Sequence, residues 1–211
     1  MNNNYSKNII VSGLPGIISI FLSFFSIPLY LNLISTELYA NFLIQHFILS
    51  LAMFLNLNLG KFASIKIQQV NEKLKKQIIF TTLSISLILG IIISAIIFLI
   101  IILISQKFEF INFSISLFFG LFVTTLFINV EFINKGLGYF KISSFLNFFF
   151  YGVSLSLPAF FLLVEDIEYT VSQNMFLISI FIKYFSFFFL FLILIIKKKL
   201  VWTKINFNLI K

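Results

Sequence analysis

The sequence predicts an all-α, polytopic membrane protein with six transmembrane helices in one bundle. Three observations carry this. Hydrophobic residues make up 60% of the chain and charged residues only 10%. Charge-poor apolar stretches of about 20 residues or more recur, each long enough as helix to cross ~30 Å of hydrocarbon. Lysine-bearing turns separate these stretches with a regular alternation that a multi-span topology explains.

The spans follow in order: residues 8–34, 39–60, 77–104, 111–133, 142–164 and 173–196. Residues 197–211 form a tail after the sixth span, read as a cytoplasmic tail or a truncated linker. The longest connection, "KFASIKIQQVNEKLKKQ", joins spans two and three and extends the second helix past the membrane. With the N-terminus inside, the inner segments hold Lys7; Lys61, Lys66, Lys73, Lys75 and Lys76; Lys135 and Lys141; and Lys197, Lys198, Lys199, Lys204 and Lys211. The outer loops hold Lys107, and Lys183 lies within span six. Such an asymmetry puts both termini in the cytoplasm. The acidic turn "EDIEY" falls outside, as a solvated loop.

Composition also excludes function classes. The net charge of +8 marks membrane sidedness rather than nucleic acid. No cysteine is present, so disulfides and thiolate metal sites are out, and a single histidine cannot build a histidine metal cluster. No cofactor and no enzymatic constellation are expected: the chain has no Gly-rich phosphate loop, no nucleophile–base set and no paired carboxylates.

Polar and small residues inside the spans fall on single helical faces. Span one has Ser12, Gly16, Ser19, Ser23 and Ser26, with Pro15 at the edge. Span two has Asn41, Gln45, Ala52, Asn56 and Ala63. Span three has Ser86, Gly90 and Ser94; span five has Asn147, Tyr151, Ser154 and Pro158; span six has Ser172, Ser179, Lys183 and Ser186. Two readings apply: close helix packing, for which small residues are suited in lipid, and a water-lined cavity, for which Asn41, Gln45 and Asn56 are suited. Pro15 and Pro158 predict bends.

Three charged or titratable positions stand out. Lys183 lies about 15 Å into span six, near the midplane, where a lysine costs about 3 kcal/mol to insert. On the Ser179/Ser186 face it either binds an anionic ligand or is bonded to backbone carbonyls or an internal carboxylate. Glu131, at the inner end of span four, precedes Lys135 by four residues, the favourable order for a helical ion pair. It is a structural or coupling charge set at a different depth from Lys183. His46, in the outer part of span two, is either a hydrogen-bonded packing residue or a proton relay.

Two segments carry a family resemblance. "PLYLNLISTELYANFLIQHFILSLAMFLNLNLGKFASIKI", residues 28–67, resembles the end of helix one and all of helix two in Wzx-type oligosaccharide flippases. Pro28 precedes the outer turn, "LYANF" enters helix two, and "NLGKFASIK" ends it, with Gly60 and Lys66 at the family's glycine and basic positions and Asn58 where an acid is usual. "FINKGLGYFKISSFLN", residues 132–147, resembles the cytoplasmic turn between helices four and five, through Gly136, Tyr139, Phe140 and Lys141.

The resemblance implies the superfamily of multidrug, oligosaccharidyl-lipid and polysaccharide exporters, which place two bundles around a central cavity. This chain would be one bundle, a half-transporter or truncated product translocating an undecaprenyl-pyrophosphate-linked sugar for O-antigen-type polysaccharide in the bacterial inner membrane. Its partners would be the bilayer, the lipid-linked oligosaccharide, and a second half or a homodimeric copy. Lys183, Ser179, Ser186, Gln45, Asn56 and Asn41 are the candidate substrate contacts, and Glu131 and His46 the candidate coupling or structural charges. The alternatives are a drug or cation antiporter of the same superfamily, which span one disfavours because it lacks an acid, and an inactive truncated remnant.

Overall fold

A computed structural model describes residues 3–55, 58–105, 115–162, 171–201, 203 and 205. Their regular structure is entirely helical. Helix α1 spans Asn3–Leu33, α2 Thr36–Leu55, α3 Leu59–Gln69, α4 Glu72–Ser105 and α5 Ile115–Gly136. Helix α6 spans Phe140–Phe148, a π-helical turn covers Phe149–Val153, and α7 (Ser154–Leu162) continues the same rod; α8 is Val171–Ile196. By length and composition α1, α4, α5, the α6–α7 rod and α8 are each able to cross a membrane. Helix α2, with 20 residues, is the remaining apolar helix of the six expected.

Two expected spans are not regular helices. Span two was read as unbroken over residues 39–60, but the helix stops at Leu55 and restarts at Leu59, with Asn58 left-handed at φ 51°. Asn tolerates that conformation better than most residues. Its side chain makes no capping bond. Instead, the Gly60 amide, an orphan of the first turn of α3, donates to Asn129 Oδ1 of α5 at 2.7 Å. Gly60 has no substitute there: a Cβ would lie 2.6 Å from the Asn129 backbone. Four residues on, Ser64 meets Gly136 in the same way, with a Cβ on Gly136 falling 2.7 Å from the Ser64 backbone. Gly60 and Gly136 thus let α3 and α5 run side by side in near backbone contact.

Span five is interrupted by the π turn. There the Ser154 amide bonds the Phe149 carbonyl five residues back. Pro158, inside α7, has no N–H to return to Ser154. Helix ends, by contrast, are conventional. α5 closes with Gly138 at φ +89°, bonded in the Schellman pattern (Gly138 N to Lys135 O, Tyr139 N to Asn134 O). α8 closes the same way with Lys198 at φ 51°.

Helix α5 is the central element, touching α2, α3, α4, α6 and α8. Of its membrane-length stretch 67% is buried, against 11% for α1, which lies at the edge on the α6–α7 rod. From Ser19 onward the α1 serine stripe packs on the rod, whereas Gly16 is exposed: a Cβ on Gly152 would strike Ser19, Ser26 is buried, and Tyr30 Oη donates to Leu155 O at 2.6 Å. Ser19 and Ser23 donate to their own helix, at Pro15 O and Ser19 O.

The buried apolar residues form two clusters. One includes Phe42, Leu49, Leu121 and Phe176; the other includes Ile79, Phe127, Phe150 and Leu194, toward the lysine-rich end. α4, α5, the α6–α7 rod and α8 each contribute to both. Between their two contributions stand small or polar residues: Ser86 and Gly90, Thr124 and Thr125, Gly152 and Ser154, Lys183 and Ser186. The break between α2 and α3 falls at the same place in the order of that helix pair. A layer of small or polar residues therefore stands between the two apolar clusters, and further buried polar groups lie on either side of it.

The lysine-rich end is tied together by Glu72 at the start of α4, which accepts from Lys199 at 2.8 Å and Lys75 at 3.0 Å. This puts the end of α3, the start of α4 and the end of α8 on one side.

Candidate functional site

Within the polar layer, the hydroxyls mostly satisfy themselves. Ser86 donates to Thr82 O at 2.7 Å, Thr124 to Gly120 O at 2.8 Å and Ser186 to Ile182 O at 2.9 Å. Lys183 does otherwise. Only 4% exposed, it crosses from α8 to the π turn and donates to the Phe150 carbonyl at 2.9 Å. The π turn removes one backbone donor from that carbonyl. The switch to i→i+5 pairing commits the Ser154 amide to Phe149, so Phe150 O takes side-chain donors instead: Lys183 Nζ and the Ser154 hydroxyl, the latter at 2.5 Å. Around the ammonium lie the Phe150 ring at 4.3 Å and the Tyr151 ring at 5.5 Å. Each such aromatic face is worth about 0.5–2 kcal/mol to a cation. Phe127 stacks on the far side of Phe150 at 3.7 Å and holds that ring in place.

Among the described residues no carboxylate pairs with Lys183; the ion pairs are those of Glu72 and of Glu131. Glu131 is buried near the lysine-rich end, accepting from Lys135 Nζ at 2.5 Å and Asn147 Nδ2 at 2.7 Å. The expected i, i+4 pair is present, with Asn147 as a third member.

His46 is fixed on both nitrogens: Nδ1 lies 3.1 Å from Phe42 O and Nε2 lies 2.7 Å from Ser179 Oγ. A carbonyl only accepts, so the neutral ring carries its proton on Nδ1 and Ser179 donates to Nε2. Ser179 is one turn of α8 from Lys183. The rings of Phe42, at 4.3 Å, and Phe176, at 5.8 Å, flank the imidazole.

The expected substrate set does not come together as one site. Lys183 and Ser179 share a face, with His46 joined through Ser179. Ser186 is buried but donates to its own helix. Gln45 is buried with its Oε1 unpartnered, Asn41 is partly exposed, and neither bonds Lys183, Ser179 or Ser186. Asn56 lies outside the described residues, as do Lys107 and the "EDIEY" turn. Sequence reasoning passed over Asn129, an amide one helical turn after Thr125, and the Phe150 carbonyl, which no side chain announces.

No metal-capable cluster of His, Asp or Glu occurs among the described residues. The fold and the site together define a membrane-embedded helical bundle with a buried lysine at its centre. Comparison with known proteins finds no matching family model, no matching characterised protein and no matching solved structure.

Proposed function

We propose that this chain works as one six-helix bundle of a transporter that moves an undecaprenyl-pyrophosphate-linked sugar across the bacterial cytoplasmic membrane for surface polysaccharide of the O-antigen type. One observation carries the reading: Lys183 is a cation at the middle of the bundle, with no carboxylate partner among the described residues. Its acceptor does not depend on it, because Phe150 O keeps the Ser154 hydroxyl when the ammonium leaves. A lysine that served only to satisfy that carbonyl would be replaceable at no cost in charge. A cation held loosely at a carbonyl and two ring faces is suited to be passed to a phosphate, for which the compact ammonium is a point-charge donor.

The lysine asymmetry supports cytoplasmic termini, and the resemblance at residues 28–67 and 132–147 supports the lipid-linked class. The absence of any acid in α1 disfavours a cation antiporter. The partner bundle is a second copy or a separate chain. Lys183→Ala is expected to abolish surface-polysaccharide export in cells that depend on this chain, with its membrane level unchanged. Export at the wild-type rate would sink the proposal and leave Lys183 as a structural tether.

A further inference from the structure

Glu72, in the first turn of α4, has both carboxylate oxygens taken. Oε1 accepts from Lys75 at 3.0 Å and Oε2 from Lys199 at 2.8 Å. The second bond joins residues 127 positions apart and brings the start of α4 to the end of α8. Asn71 fixes that start by accepting the Leu74 amide at 3.1 Å. Two basic stretches therefore meet: Lys73, Lys75 and Lys76 on α4, and Lys197, Lys198 and Lys199 where α8 closes. Six ammoniums stand round one carboxylate that is already committed. The other described acids do not serve them. Glu131 is buried with Lys135 and Asn147, and Glu37 lies in the first turn of α2, a full span away. Among the described residues, Lys73, Lys76, Lys197 and Lys198 have no acidic partner. Membrane sidedness alone does not ask for this grouping, because it depends on how many lysines flank the spans and not on whether two helices bring theirs together.

We propose that the joined ends of α4 and α8 form a binding site for anionic phospholipid, with Lys73, Lys76, Lys197 and Lys198 meeting the headgroup and Ile195 and Ile196 meeting its acyl chains. The surroundings of the cluster select this kind of anion. Both helices are long and apolar enough to cross a membrane, and the lysines stand at their ends. Ile195 and Ile196, directly before the lysines of α8, are 48% and 64% exposed. Lysines that rim exposed apolar side chains at the end of a spanning helix sit at headgroup depth, with ammoniums toward phosphate and isoleucines toward acyl chains. A soluble polyanion would satisfy the ammoniums and leave the isoleucines unmatched. Each ammonium is a compact charge with three donors, so the site accepts a headgroup phosphate in several poses. Lys75 and Lys199 have a different part: their bonds to Glu72 hold the two helix ends together. The site is independent of what Lys183 binds and of whether the chain moves a substrate.

The chain contains one tryptophan, Trp202, three residues after Lys199, so its fluorescence reports on lipid beside the cluster without labelling. The full chain is placed in phosphatidylcholine vesicles. Quenching is then compared between phosphatidylglycerol and phosphatidylcholine, each brominated near the headgroup end of the acyl chain. The anionic lipid is expected to be preferred about fivefold, the effect of one well-placed lysine. With Lys73, Lys76, Lys197 and Lys198 all changed to Gln, which keeps the Glu72 bonds to Lys75 and Lys199, the preference is expected to vanish. With Lys61→Gln and Lys141→Gln, two lysines of α3 and α6 outside the cluster, it is expected to remain. Equal quenching by the two lipids in the wild type, or none by either, would overturn the site. So would an equal loss of preference in the two sets of variants, which would mark a diffuse charge effect. Inorganic pyrophosphate, equimolar with the anionic lipid, is expected to leave the preference in place; its abolition would identify a soluble anion as the occupant and overturn the lipid site.

Discussion

Among the described residues the bundle contains two helix interruptions, and they are completed in opposite ways. At the break between α2 and α3 a free backbone donor, Gly60 N–H, is met by the neutral amide of Asn129. At the π turn a free backbone acceptor, Phe150 O, is met by the charged Lys183. Both solve the same problem, because a backbone polar group inside a membrane has to find a partner within the protein. The first solution is neutral and locked, since the Gly60 backbone is pressed against that of Asn129 with no room for a side chain. The second carries a net charge and holds a spare donor in Ser154. The difference separates an interruption made for packing from one made to keep a cation inside.

Three substitutions test that contrast. The largest effect is expected at Gly60→Ala, where the added Cβ forces α3 off α5 and costs about 3 kcal/mol. Thermal or denaturant unfolding in detergent, or the yield of folded protein, measures it; wild-type stability would show that the close approach is dispensable. Asn129→Ala follows, leaving the Gly60 amide orphaned at a cost of about 2 kcal/mol, read by the same unfolding measurement and by faster amide exchange at the start of α3. The smallest is Lys183→Met, which removes a buried charge while the Ser154 hydroxyl still serves Phe150 O. Stability is expected to change by less than about 1 kcal/mol, or to rise, while export is lost. A collapse of stability at Lys183→Met would erase the distinction between the two interruptions.

Sequence reasoning read much of this architecture and missed these two features for definite reasons. Helical runs in an apolar chain reveal themselves by length, and Glu131 with Lys135 by spacing, because both depend on local geometry. The serine face of α1 was legible as a packing stripe for the same reason. The α2–α3 break was masked because Leu57 and Leu59 keep hydropathy high through Asn58, although Asn-x-Gly at a helix junction hinted at it. The π turn has no residue signature: "FFYGV" reads as ordinary apolar helix, and its register shift is tied to what Lys183, 33 positions later, contributes. The midplane lysine was legible as an anomaly, yet its acceptor was not, since every residue carries a carbonyl. Ser186, on the same face of α8 as Lys183, donates to its own helix, and Asn41 and Gln45, on α2, make no bond to Lys183.

The order in which Phe150 and Lys183 occur along the chain has a consequence for how the protein is made. A helix with a lysine at its centre enters the bilayer against a penalty of about 3 kcal/mol, and α8 is such a helix. Its acceptor is synthesised first: Phe150, with its carbonyl and ring, precedes Lys183 by 33 residues, and Tyr151 follows directly. The residues that receive its charge are therefore already part of the chain when Lys183 is made. Biosynthesis in the reverse order would ask the lysine to wait in lipid for a partner not yet made.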